Sequence, residues 1–203
     1  MVIGQRVERI DIVLRPVPET PVVKKGPEFV EPLSELRPFA TFGEFANILP
    51  KFVRLVTKWL GAAPSLNRLA FGAILVEEVQ DLNDAQRALQ LLLPNVAFDP
   101  NDGVEDIFWQ INRPRQSRVV AEIKINRLMK WSMPEVSVLA IPVVGRAVAS
   151  GSHVAAKSQA VRVELDINTD AKRQNELPTT DLGKLFEELV ELANEIALEG
   201  DIP

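Results

Sequence analysis

The sequence predicts an α+β fold: a mostly antiparallel sheet of five or six strands with about three helices packed mainly on one face. Several segments alternate apolar and polar residues cleanly, as strands do when one face meets the core and the other meets water. Other segments carry apolar residues at helical spacing and show helix start or stop signals. Placed along the chain, these segments read β-α-β-α-β-β-β-β-α, an order that suits an antiparallel sheet with helices gathered on one side.

The first strand is expected over about residues 7–15, where Ile10, Ile12 and Leu14 alternate with Asp11, Val13 and Arg15. Residues 16–38 are dense in proline, which fixes φ and removes a backbone donor, so this stretch reads as an extended arm rather than a regular element. Thr41 with Glu44 forms a capping-box pattern. Phe45, Leu49, Phe52, Val53, Val56 and Leu60 then recur at helical spacing up to Gly61, and Pro50 predicts a kink or a second helix starting there.

From Leu69 to Val76 the chain is apolar on both faces, which predicts a central strand covered on both sides. A short helix follows over about residues 83–93 and is stopped by Pro94. Residues 105–131 read as a long hairpin. Ile107, Trp109 and Ile111 face one way on its first arm, and Val119, Ala121, Ile123 and Ile125 face the same way on its second. Pro114 to Ser117 supplies the expected turn, and matching apolar faces sets Ile125 opposite Ile107 and Ile123 opposite Trp109. Residues 134–144 suggest a further strand, and 145–159, rich in small residues, a loop. Val161, Val163, Leu165 and Ile167 then alternate with Arg162, Glu164 and Asp166 in a strand. The chain ends in a helix of about residues 181–198, with Thr180 as its cap, Leu185, Leu189, Leu192 and Ile196 as its stripe, and Gly200 after its end.

A length of 203 residues suits a single domain, and 46% hydrophobic with 25% charged residues suffices for a core. There is no cysteine, which removes disulfides, thiolate zinc sites and cysteine nucleophiles and fits a reducing cytoplasm. The N-terminus lacks the apolar run of a signal peptide, and the longest apolar stretch, near Val138 to Val144, is far short of a membrane span. The expectation is a soluble, cytoplasmic protein.

Several chemistries find little footing. His153 is the only histidine, so no histidine pair can hold a metal, and it sits in an expected loop. Gly145 and Gly151 bracket a short stretch, but no Lys-Ser/Thr follows to grip phosphate. Asp99, Asp102, Glu105 and Asp106 crowd one turn without EF-hand spacing. No cofactor and no metal are expected. The one catalytic candidate is Asp106 with Glu122 and Lys124 across the hairpin, an arrangement metal-dependent nucleases use: carboxylates for Mg²⁺ and a lysine for the developing charge. The ordinary reading of the same residues is a salt-paired, solvated strand face.

Charge patterning is more informative. An apolar residue followed by Asn-Arg occurs three times, ending in Arg68, Arg113 and Arg127. Between Arg113 and Lys130 stand six basic residues (Arg113, Arg115, Arg118, Lys124, Arg127, Lys130) and one acid, Glu122, flanked by Trp109 and Trp131. Between Asp181 and Asp201 stand seven acids and one base. The basic hairpin, with Arg68, Trp109 and Trp131, is the predicted anion- or partner-binding surface. It can meet a protein partner, a second copy, single-stranded nucleic acid, or the acidic helix of its own chain. The net charge of -5 favours the protein readings over nucleic acid. The expected function is therefore a non-enzymatic interaction module, a subunit or adaptor, with nucleic-acid binding as the alternative and a nuclease as a further one.

Overall fold

In the computed structural model, residues 2–6, 9–16, 39–99, 104–140, 143–144, 147–148, 153–170 and 175–202 are described. The arm expected at 16–38, apart from Pro16, lies outside them, as do Asp102, Gly145 and Gly151. Elements run β1 (Val2–Arg6), β2 (Arg9–Val13), α1 (Phe45–Leu60), β3 (Ala70–Val79), α2 (Leu82–Leu92), β4 (Phe108–Asn112), β5 (Arg115–Gln116), β6 (Lys124–Ser132) and β7 (Glu135–Ala140). They continue with β8 (Val143–Val144), β9 (Ala147–Val148), β10 (His153–Thr169) and α3 (Leu182–Glu199). The main sheet has six strands, all pairings antiparallel, in the order β3-β10-β6-β4; β5 continues along β6, and β7 continues along β10. The α+β expectation holds.

Alternation decides which face is buried. Phe71 on β3, Val161, Val163, Leu165 and Ile167 on β10, and Ile125, Met129 and Trp131 on β6 are buried on one face. That face carries α3, whose Leu185, Leu189, Leu192 and Ile196 are each fully buried, together with Ala85, Leu89 and Leu93 from α2 and its end. Phe52 of α1 joins the same core, its ring 6.2 Å from Phe71 and 6.4 Å from Phe186. No described helix is long and apolar enough to cross a membrane.

Several elements depart from the sequence reading. The N-terminal strand is two strands, with Ile3 opposite Ile12. Pro50 lies inside one continuous helix, since Phe52, Val56 and Leu60 pack beyond it and outweigh its cost of about 3 kcal/mol. Thr41 does not cap that helix. Glu44 is its N-cap, with no side-chain cap bond, and takes Asn47 Nδ2 at 2.7 Å instead. Thr180 belongs to a 3₁₀ turn, and Asp181 precedes α3. β10 begins at His153, so much of the expected loop is strand. Extended backbone is available to its small residues because β7 pairs with them.

Two corrections matter for function. β3 is an edge strand: Ile74 stands 61% exposed on the face without helices. An apolar run reads alike for a doubly covered strand and for an edge that leaves one face open. The long hairpin is also paired further along than expected. Trp131, not Ile123, lies opposite Trp109, Arg115 lies opposite Ile125, and the connection is residues 117–123. Ser117 sets that turn. Its backbone N–H donates to Ile123 O at 2.8 Å, and its hydroxyl accepts from the N–H groups of Val119 and Val120 at 3.1 Å. Because the displacement is an even number of residues, the paired residues of both arms keep their faces, whereas Val119 and Ala121 leave the strand for the connection.

Candidate interaction surface

The basic hairpin and the acidic helix face each other within the chain. Glu188, Glu191 and Glu195 share one side of α3 by helical spacing. Glu188, buried to 3% exposure, accepts the Ser117 hydroxyl at 2.6 Å and the Arg118 backbone N–H at 2.7 Å. The Arg118 guanidinium bridges Glu188 at 3.5 Å and Glu191 at 2.8 Å, and Arg115 reaches Glu195 at 3.5 Å. Beyond α3 the chain turns at Gly200, φ 78°, where an added Cβ would collide with the Leu92 carbonyl. That turn delivers Asp201, 1% exposed, to Arg113, which donates through Nε at 2.5 Å and Nη2 at 2.6 Å. This hydrogen-bonded pairing raises the Arg113 pKa above its ordinary value.

Arg127 sits deeper in the same cluster. It projects from the core face of β6, is 1% exposed, and donates through Nη2 to the Ile202 carbonyl at 3.3 Å. Among the described residues its Nε has no hydrogen-bond partner. Burial lowers its pKa, and the neighbouring Arg115 adds to that, against the pull of Glu195 and Asp201. Two of the three Asn-Arg arginines, Arg113 and Arg127, therefore gather at one place with Arg115. Arg68 lies elsewhere, exposed in the approach to β3, where Leu69 adjoins Thr169.

The asparagines of the two gathered pairs point the other way. Asn112 Nδ2 donates to Asn126 at 3.3 Å, Asn126 donates to Asn168 at 3.3 Å, and Asn168 donates to Asp166 at 2.8 Å. This polar ladder crosses the sheet face that carries no helix. Further along the same face, Lys130 lies 3.9 Å from Glu164, which also holds Arg162 at 2.6 Å. The face ends at its margins in exposed apolar side chains: Ile74 on β3, and Phe108 on β4 at 65% exposure.

The remaining predicted residues scatter. Trp131 is buried at 1% exposure, while Trp109, opposite it on the edge strand, is 43% exposed. Asp106 precedes β4, at the end of the ribbon near Ser132, whereas Lys124 starts β6 at the other end and Glu122 lies in the turn. About ten residues of strand, roughly 33 Å, separate Asp106 from Lys124, so the three do not form a metal site. Among the described residues no group of three or more His, Cys, Asp or Glu is placed to hold a metal ion. Phe108 and Ile74 were not singled out from the sequence. For Phe108 the available signal was its phase, a large apolar residue on the face that its strand gives to Gln110 and Asn112; for Ile74 there was none, because its strand is apolar on both faces.

Comparison of the chain with protein-family models, with curated proteins and with solved structures found no match in any of the three.

Proposed function

We propose that the protein is a non-enzymatic interaction module that receives a protein partner along the β4 edge of its sheet. The observation that carries this reading is the pair Phe108 and Trp109. They are consecutive residues of an edge strand, they project to opposite faces of the sheet, and both rings are substantially exposed. An extended segment added beside β4 would gain main-chain hydrogen bonds and two aromatic anchors, the usual recipe of strand addition. The polar ladder of Asn112, Asn126 and Asn168 offers directional contacts beside those anchors. The cations of the hairpin serve as the mount: Arg113, Arg115 and Arg118 hold the ribbon to α3 and Asp201. The absence of cysteine suits a partner met in a reducing cytoplasm.

A photo-crosslinking amino acid at position 108, compared with one at Leu198 on α3 (74% exposed), tests this in living cells. A discrete protein adduct at 108, absent at 198 and lost with Trp109→Ala, is the expected result. Diffuse labelling of equal strength at both positions contradicts it. So does binding of single-stranded DNA or RNA whose affinity falls steeply with salt and with Lys124→Ala, the signature of phosphate contacts.

A further inference from the structure

β3 forms the opposite edge of the sheet, away from Phe108 and Trp109. Among the described residues its outer side pairs with no strand. Sheet edges are ordinarily blunted by charge, proline or a bulge. β3 has none of these over seven residues: Ala70 to Val76 is uncharged, and its ladder with β10 runs without a break from Ala70 to Val79. The helix layer above this edge is also incompletely buried. α1 reaches the sheet through Phe52 against Phe71, yet only Val56 and Leu60 of its sixteen residues are buried, and Leu55 is 41% exposed.

The charges flanking this strand are self-complementary. Arg68, just before it, is exposed and makes no ion pair among the described residues. Glu77 and Glu78, at its far end, are both exposed. An antiparallel copy of the same strand brings one copy's beginning to the other's end.

We propose that β3 pairs antiparallel with β3 of a second copy of this chain, about a two-fold axis at Ala73, so that one sheet runs through both subunits. In that register Arg68 of each copy meets Glu78 of the other, Phe71 meets Leu75, and Ile74 lies over Gly72, where no side chain competes for space. Each contact is made twice, as a two-fold interface requires. The like charges of Glu77 and Glu78 are kept at opposite ends of the pairing, and Ile74 leaves solvent. This interface is independent of the β4 edge and leaves it free for a different partner.

The cysteine-free chain makes the test direct. Residues facing each other across an antiparallel pair have Cα atoms about 4.5–5.5 Å apart, within the reach of a disulfide, about 4.4–6.8 Å. Ala73→Cys should form a covalent dimer under mild oxidant, while Leu198→Cys should not. By sedimentation equilibrium, Arg68→Glu should weaken the dimer at least about tenfold, and Arg68→Glu with Glu78→Arg should restore it to within about threefold. Ile74→Lys should give monomer that keeps its circular dichroism. An unaltered chain that stays monomeric at about 100 µM, equal cross-linking at 73 and 198, or a charge swap that fails to restore the dimer overturns the proposal. Cross-linking through position 108 should be unchanged in Arg68→Glu, so failure here is separable from failure of the β4 reading.

Discussion

The end of the β4–β6 ribbon that meets α3 and the open face of the same ribbon are made from the same residue types, yet they end in different states. At the α3 end, two of the four acids that the cations meet, Asp201 and Glu188, are left almost no exposure. On the open face, Lys130, Glu164 and Arg162 pair while remaining about one-third exposed, and large apolar side chains stand at the rim. The difference lies in what desolvates the charges. Where the fold covers them, the acids depend on their partners: Asp201 takes Arg113, and Glu188 takes the Ser117 hydroxyl and the Arg118 N–H. Where water covers them, pairing contributes little and the face stays available. A charge-rich stretch of sequence thus belongs to the fold at one end and to the surface at the other.

Breaking the buried end should have the largest effect. Asp201→Ala strands Arg113 and the already under-bonded Arg127, and should cost about 3–5 kcal/mol in urea unfolding. Loss below 1 kcal/mol would mean that the cluster is not coupled to folding. Glu188→Ala comes next: it leaves the Ser117 hydroxyl and the Arg118 N–H without their acceptor, at about 1–3 kcal/mol, and should loosen the 117–123 turn in hydrogen exchange. Glu191 sits in the same arginine cluster but is exposed, so Glu191→Gln should cost only about 0.2–1 kcal/mol and less at high salt. Phe108→Ser should be smallest in stability, within about 0.5 kcal/mol, while abolishing the adduct formed by a cross-linker placed instead at the exposed Gln110 of β4. If it destabilised as much as Glu188→Ala, the open face would be a covered one.

Face assignment was legible in the sequence because it depends only on parity. The alternation of Val161 to Ile167 and of Ile123 and Ile125 placed those residues in the core correctly, whereas Trp131, expected on the binding surface, is core as well. Register was not legible. Matching apolar faces is satisfied by every even displacement, and the one adopted is fixed by the Ser117 turn and by Glu188, 71 residues away in sequence. The pairing of basic hairpin with acidic helix was visible as an option in the charge pattern. That the two meet depends on the turn at Gly200 and the packing of α3 on the sheet, both tertiary facts. Edge position was hidden for a similar reason: nothing local in the Leu69–Val76 run distinguishes a neighbour on both sides from a neighbour on one.

Three of the hairpin's arginines, Arg113, Arg115 and Arg118, are bound by this chain's own acids. A double-mutant cycle on Arg113→Ala and Asp201→Ala, followed by urea unfolding, tests this pairing most directly. A coupling energy of at least about 1 kcal/mol is expected, with the double variant less destabilised than the two single losses added. Coupling indistinguishable from zero, with Arg113→Ala leaving stability unchanged, would contradict it and return the basic hairpin to the solvent side of the molecule.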